Sequence, residues 1–200
     1  LQLAVTDLNL ADWKSFAGEI APSGNVNATL NILAKQAGKQ LSIDLVSSIN
    51  ALSAQFGSNQ ISNADIELKT KVTVADMKKV SLASYSVQLS QAKQPALTLS
   101  GSGTLDLESS DTDIKANLDG ALAQLFKIVV VPDLNVTSGS LKFDGQITQR
   151  KESQTIKGNV DLKNFVTRDP KNSQTSAPLS AQVQLDSAMS KDVFDLKQFQ

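Results

Sequence analysis

Ser90 and Lys93 stand three residues apart, the spacing at which a lysine at the start of a helix activates a serine nucleophile. Here the pair follows the strand-like run of residues 85–89, and the companion S-D-N and K-T-G motifs are absent. Glu108, Asp111 and Asp113 gather carboxylates in one loop, as a hard cation requires. The calcium-loop pattern fails at Lys115, which takes the next ligand position, and no Gly follows; a solvated hairpin turn is the expectation. Asn27-Ala28-Thr29 and Asn135-Val136-Thr137 have the spacing of a glycosylation acceptor, which carries meaning only in a eukaryotic secretory protein. His and Cys are absent from all 200 residues. With them go the usual zinc and iron ligands, the thiol nucleophile, disulfides and the commonest general base near neutral pH. The expectation is a protein that is not an enzyme and needs neither metal nor cofactor.

The charges say as little about chemistry. Nineteen basic and 20 acidic residues are mixed along the chain for a net charge of -1, so no basic block offers a footprint for nucleic acid. A hydrophobic content of 40% over 200 residues suffices for a sizeable core, and residues 1–200 are read as one domain. Lack of Cys is compatible with a secreted or periplasmic address without requiring it. The longest apolar stretch, residues 128–131 with Leu125 and Phe126 before it, falls far short of the roughly 20 residues of a spanning helix. The chain opens at Leu1 without Met, signal peptide or basic leader, and is expected to be a piece of a longer protein.

What must position any functional residues is β-structure. Ile66, Leu68, Thr70, Val72 and Val74 alternate with Asp65, Glu67, Lys69, Lys71 and Thr73, the period of a strand with one wet face. Comparable alternation includes Val26 to Ile32, Leu41 to Leu45, Leu97 and Leu99, Leu105 and Leu107, Leu141 to Ile147, Ile156 to Leu162, and Leu179 to Leu185. Short polar or Gly-containing connections separate several of the runs: Ala37-Gly38, Gly57-Ser58-Asn59, and residues 108–113 and 149–154. They suit hairpins, so successive strands are expected to pair antiparallel. Residues 167–178, flanked by Pro170 and Pro178, read as an exposed loop.

Three stretches depart from period two. Trp13, Phe16, Ala17 and Ile20 fall at helical spacing, with Asp12 as a cap and Gly18 as a stop, predicting a short helix at residues 11–17 with Trp13 packed over one end of the sheet. Ala121, Leu122, Leu125, Phe126 and Val129 repeat the spacing after Asp119 and before Pro132, either as a plug over an open sheet end or as a core helix. Residues 41–56 are either one long strand with a bulge or a strand followed by helical spacing at Ile49, Leu52 and Phe56. Gly24, Gly103, Gly139 and Gly158 each precede apolar residues at +2 and +4, at irregular intervals that exclude a fixed-period solenoid.

The fold class expected is therefore all-β with minor α: an antiparallel meander of amphipathic strands in a curved, groove-like or sandwich sheet, with one to three short helices. The positions assigned to the apolar face are Ile66, Leu68, Val72, Val74, Leu97, Leu99, Leu105, Leu107, Leu141, Phe143, Val160, Leu162, Leu179, Val183 and Leu185. Burying one aliphatic side chain is worth roughly 1.5–3 kcal/mol, so about a dozen left in water would forfeit more than the roughly 5–15 kcal/mol by which domains are stable. That face must be covered, and since the helical stretches are too few, the expectation is sheet on sheet, in a sandwich or a sharply folded sheet, with or without a gap for lipid acyl chains. Both readings use the same residues. One Trp and one Tyr are too few for the aromatic girdles of an outer-membrane barrel.

The strand grammar also resembles a known family. Residues 80–82 and 100–107 (Ser100-Gly101-Ser102-Gly103-Thr104-Leu105-Asp106-Leu107), residues 131–145, residues 156–163 (Ile156-Lys157-Gly158-Asn159-Val160-Asp161-Leu162-Lys163) and the opening Thr6-Asp7-Leu8-Asn9-Leu10-Ala11-Asp12-Trp13 are similar to the repetitive C-terminal part of bacterial AsmA-like proteins. The resemblance implies a periplasmic protein held at the inner membrane by an N-terminal anchor outside this segment and connected with outer-membrane assembly. It implies relatives among TamB-like and bridge-like lipid-transport proteins, whose sheets form a long aliphatic groove for phospholipid acyl chains. The alternative is a structural or adhesive β-sandwich module of a surface protein with a closed core.

Overall fold

A strand's pleat sends alternate side chains to opposite faces, and the computed structural model uses that alternation along nearly the whole chain. It describes residues 1–13, 15, 20, 22–171, 173–190 and 193–199, the last seven and Phe56 by their backbone. The strands are β1 (Gln2–Asn9), β2 (Ser23–Lys35), β3 (Gln40–Phe56), β4 (Asn59–Ala75), β5 (Lys79–Gln91), β6 (Gln94–Asp106) and β7 (Thr112–Ala121). After one helix, α1 (Leu122–Ile128), come β8 (Val129–Val130), β9 (Val136–Arg150), β10 (Ser153–Thr167), β11 (Leu179–Ser190) and β12 (Val193–Phe199). They form one open antiparallel sheet in the order β1-β2-β3-β4-β5-β6-β7-β9-β10-β11-β12, with β8 pairing on β4. The all-β expectation holds, and in this sheet chain neighbours are sheet neighbours apart from the excursion through α1 and β8.

Residues 41–56 resolve into a single strand, β3, whose pairing with β4 shifts register on both sides of Leu52. The shifts are bulges, and four bulge residues share one device. Asp7, Ala51, Asn63 and Asn164 adopt φ of 51°, 55°, 47° and 51°. Their backbone N–H groups donate to side chains of the adjacent strand: Asn27 Oδ1 at 2.9 Å, Asp65 Oδ1 at 3.0 Å, Ser53 Oγ at 3.0 Å and Ser180 Oγ at 3.0 Å. A bulge leaves a residue out of the ladder, and an unmet donor is costly; the borrowed acceptor satisfies it. Ala51 still carries a Cβ in the left-handed region, which costs about 1 kcal/mol. Ala51→Gly is therefore expected to raise the melting temperature by about 2–4 °C, as read by thermal unfolding followed by circular dichroism.

The predicted turns at Gly38, Gly57, residues 108–113 and residues 149–154 are present. Two further hairpins, outside the predicted turns and without glycine, turn at Asp76 and Met77 with φ of 50° and 53° and at Ala92 and Lys93 with 49° and 64°. The described residues from 168 to 178 form the expected exposed loop, closed by an Arg168↔Thr175 bridge, while Thr167 ends β10.

Near the N-terminus the described part of the predicted helix is a 3-10 turn, Leu10–Trp13; Phe16, Ala17 and Gly18 lie outside the described residues. Trp13, the expected anchor, is 49% exposed. The second predicted helix is α1. Asp119 does not cap it: Asp119 belongs to β7 and pairs with Lys142 at 3.2 Å, while Ala121 is the uncapped N-terminal residue.

The core lies beneath α1. Ala64, Ala96 and Ile128 are 0%, 1% and 0% exposed, with Leu52, Ile61, Leu89, Leu125 and Val129 packed around them. The alanines form a low floor on β4 and β6 that lets the helix approach the sheet. From α1 the chain crosses to β4, where Val129 and Val130 pair with Ile61 and Gln60, before it returns to β9 beside β7.

Candidate functional site

Strand register turns the alternation of single strands into rows that cross the sheet. One row reads Leu8, Val26, Ile49, Ile66, Leu89, Leu97, Gly120, Leu141, Leu162, Ala181. The next reads Val5, Ala28, Ser47, Leu68, Val87, Leu99, Leu118, Phe143, Val160, Val183, and beyond it run Leu3, Leu30, Leu45, Thr70, Tyr85, Gly101, Ala116, Gly145, Gly158, Leu185. Two more follow toward the other strand ends: Ile32, Ile43, Val72, Leu82, Gly103, Ile114, Ile147, Ile156, and then Ala34, Leu41, Val74, Val80, Leu105, Thr112. A row of the opposite face reads Asn27, Ser48, Glu67, Gln88, Thr98, Asp119, Lys142, Asp161, Gln182. Antiparallel register keeps the bulges from mixing the two sets.

All the predicted face residues except Leu107 sit on the strands of this face. Leu107 lies past the end of β6, its N–H donating to Lys78 O at 2.7 Å, and is 52% exposed. That correction follows from the turn: Asp106 Oδ1 accepts the N–H groups of Glu108 at 2.9 Å and Ser109 at 3.1 Å, which ends the strand at Asp106. The N–H groups of Ser109 and Glu108 also hold the Asp106 carboxyl below the ordinary carboxylate range. Leu179 continues β11 but stands at its exposed end, at 55%. Sequence reading passed over Val80, Leu82, Val87, Leu89, Ile114 and Leu118 as face residues; the Ile114-Lys115-Ala116-Asn117-Leu118 alternation was the available signal.

The cover expected from a second sheet is not supplied. Among the described residues there is a single sheet, and the buried apolar side chains are Ala54, Ala64, Ala96, Leu122, Ile128 and Val136, four of them in the helix and its floor. Away from α1 the face residues are at best half-buried by their neighbours in the rows. An open apolar depression of about 180 Å³ lies among Val80, Leu82, Gly103, Leu105, Thr112 and Ile114. In the middle row, glycines make room for rings. A Cβ on Gly101 would fall 2.7 Å from Tyr85 Oη, which donates to Lys115 O at 3.3 Å, and one on Gly158 would fall 3.0 Å from the Phe143 ring.

The polar groups considered for chemistry are dispersed. Ser90 lies in β5 and Lys93 in the following turn, not on a helix. Asp113 accepts two bonds from Gln146 Nε2, at 2.8 and 2.9 Å, and Asp111 Oδ1 accepts Lys151 N–H at 3.3 Å. Among the described residues no three His, Cys, Asp or Glu side chains converge as metal ligands. Asn27 caps the β1 bulge. An open depression of about 610 Å³ separates residues 133–135 from the 167–176 loop. Its lining mixes Asp133 and Asp169 with Arg168 and Lys171, and the Arg168, Asp169 and Ser176 N–H groups are spent on Asn135, Gln174 and Thr167 carbonyls.

No family model, curated protein or solved structure matches this chain.

Proposed function

We propose that the apolar face shelters phospholipid acyl chains, in a non-enzymatic segment of a bacterial envelope protein of the AsmA-like kind that serves lipid handling or outer-membrane assembly. In this reading the longer protein stands in the periplasm and is anchored to the inner membrane. The observation that carries it is the set of apolar rows crossing an open single-layer sheet that the described residues cover only beneath α1. Completing the burial of a half-buried aliphatic side chain is worth about 1 kcal/mol, so a ligand that covers ten gains on the order of 10 kcal/mol before the cost of ordering it. Aliphatic rows with few aromatics match the chemistry of acyl chains. A structural or adhesive module needs a closed core to stand alone, and a single-layer sheet does not favour it.

The test is solvent extraction of the purified protein followed by mass spectrometry, with uptake of a fluorescent fatty acid measured in parallel. Co-purified phospholipid and saturable uptake are expected. Absence of both would overturn the reading for this segment.

A further inference from the structure

We infer that α1 and β8 form a displaceable cover, and that a bound acyl chain takes the floor on which they rest; this deepens the acyl-chain reading above and rests on it. The seat of α1 continues the open apolar face. Leu89 belongs both to the first apolar row, between Ile66 and Leu97, and to the group packed around Ile128. On the flanking strands Ala64 precedes Ile66 by two residues in β4, and Ala96 adjoins Leu97 in β6. What lies on this floor is itself aliphatic: Leu122 and Ile128 are buried, and Leu125 and Val129 pack beside the alanines. Leu122 is seated over Gly139, where a Cβ would fall 3.2 Å from Leu122 Cδ1. An acyl chain satisfies the same floor by the same apolar burial, so the two compete for it.

The cover can leave without unmaking the sheet. β7 and β9 pair directly from Thr112↔Gln149 to Ala121↔Ser140, so the segment between Ala121 and Val136 is inserted between strands that are already neighbours. β8 is held to β4 by the pairs Gln60↔Val130 and Ile61↔Val129 alone. Helix α1 has 7 residues and no side-chain cap at Ala121, which leaves it little stability of its own. Beyond β8, residues 131–135 form neither strand nor helix and turn at Asp133 with φ of 61°. Such weakly held segments open locally while the sheet around them stays folded.

Burial of Leu122 and Ile128 keeps the cover shut when no ligand is bound. A chain that takes their place on Ala64, Leu89 and Ala96 offsets that loss, because the floor does not go bare. Competition of this kind is reciprocal: fastening the cover weakens the ligand, and the ligand loosens the cover by the same factor.

A reversible lock tests the cover. The chain has no cysteine of its own, so Gln60→Cys combined with Val130→Cys introduces a single thiol pair. These antiparallel partners have Cα atoms about 4.5–5.5 Å apart, within disulfide range, and both side chains are exposed, away from the buried cluster. The reduced variant is expected to bind the fluorescent fatty acid as the wild-type chain does, and the oxidised variant at least about five-fold more weakly. In the wild-type chain, saturating fatty acid is expected to speed hydrogen exchange in residues 122–130 and to leave the pairing of β3 with β4 unchanged. Equal affinity of the oxidised and reduced forms, or exchange in residues 122–130 that slows or stays the same, would overturn the cover while the acyl-chain reading stands. Absence of uptake by the wild-type chain removes that reading and the cover with it.

Discussion

Ile128→Ala is expected to remove about 2–5 kcal/mol of stability, lowering the melting temperature by about 5–15 °C at the roughly 2–4 °C per kcal/mol of a chain this size. Ile128 is the largest fully buried side chain among the described residues, at 0% exposure. It seats a helix of 7 residues, too short to persist without tertiary contacts, on a floor of Ala64 and Ala96. Truncation would leave a cavity that those alanines are too short to fill, and residues 122–135 would lose the anchor that carries them across to β4. Hydrogen exchange should show lost protection in α1 and β8 first, with the long pairings of β3 with β4 and β9 with β10 least affected. Val130→Ala, at an outward position that is 44% exposed, should change stability little. A fall in melting temperature no larger for Ile128→Ala than for Val130→Ala would show that α1 is not held as described.

Leu105→Asp is expected to abolish fatty-acid uptake while leaving the sheet folded. Leu105 is half-buried in the open depression between Val80, Thr112 and Ile114, so its substituted carboxylate reaches water and escapes the large penalty of an isolated buried charge. The folding cost is the partial burial of one leucine, about 1–2 kcal/mol, whereas an acyl chain laid on the face would meet a charge. Uptake and circular dichroism separate the outcomes. Loss of uptake with an unchanged spectrum marks an open, ligand-bearing face. Unfolding marks a face closed as core, and undiminished uptake places the lipid elsewhere.

The legible part of the fold was its local part. Ile66, Leu68, Val72 and Val74 share a face because the pleat has period two and β4 is regular there. Their pairing with β3 and β5 followed from short hairpins, since neighbours in the chain are neighbours in the sheet. Where the backbone adopts left-handed φ at residues other than Gly, composition is silent: Ala51 and Asn63 are held by acceptors on neighbouring strands, and the Asp76-Met77 and Ala92-Lys93 turns by the hairpin pairs they close. Leu107 looked like one more alternation because period two does not report where the ladder stops, which the Asp106 carboxylate decides by folding the chain back. Ala64 and Ala96 could not be picked out as core, for small size becomes a packing asset only when a helix lies above.

Period two and short polar turns thus specify a two-faced antiparallel meander, in a chain that has neither His nor Cys. That its apolar face belongs to one open sheet roofed at one end by α1 emerges from the long-range packing. Alternation is a property of each strand alone, identical in a closed sandwich and an open sheet, and what lies opposite an apolar row depends on contacts between distant segments that no local period encodes.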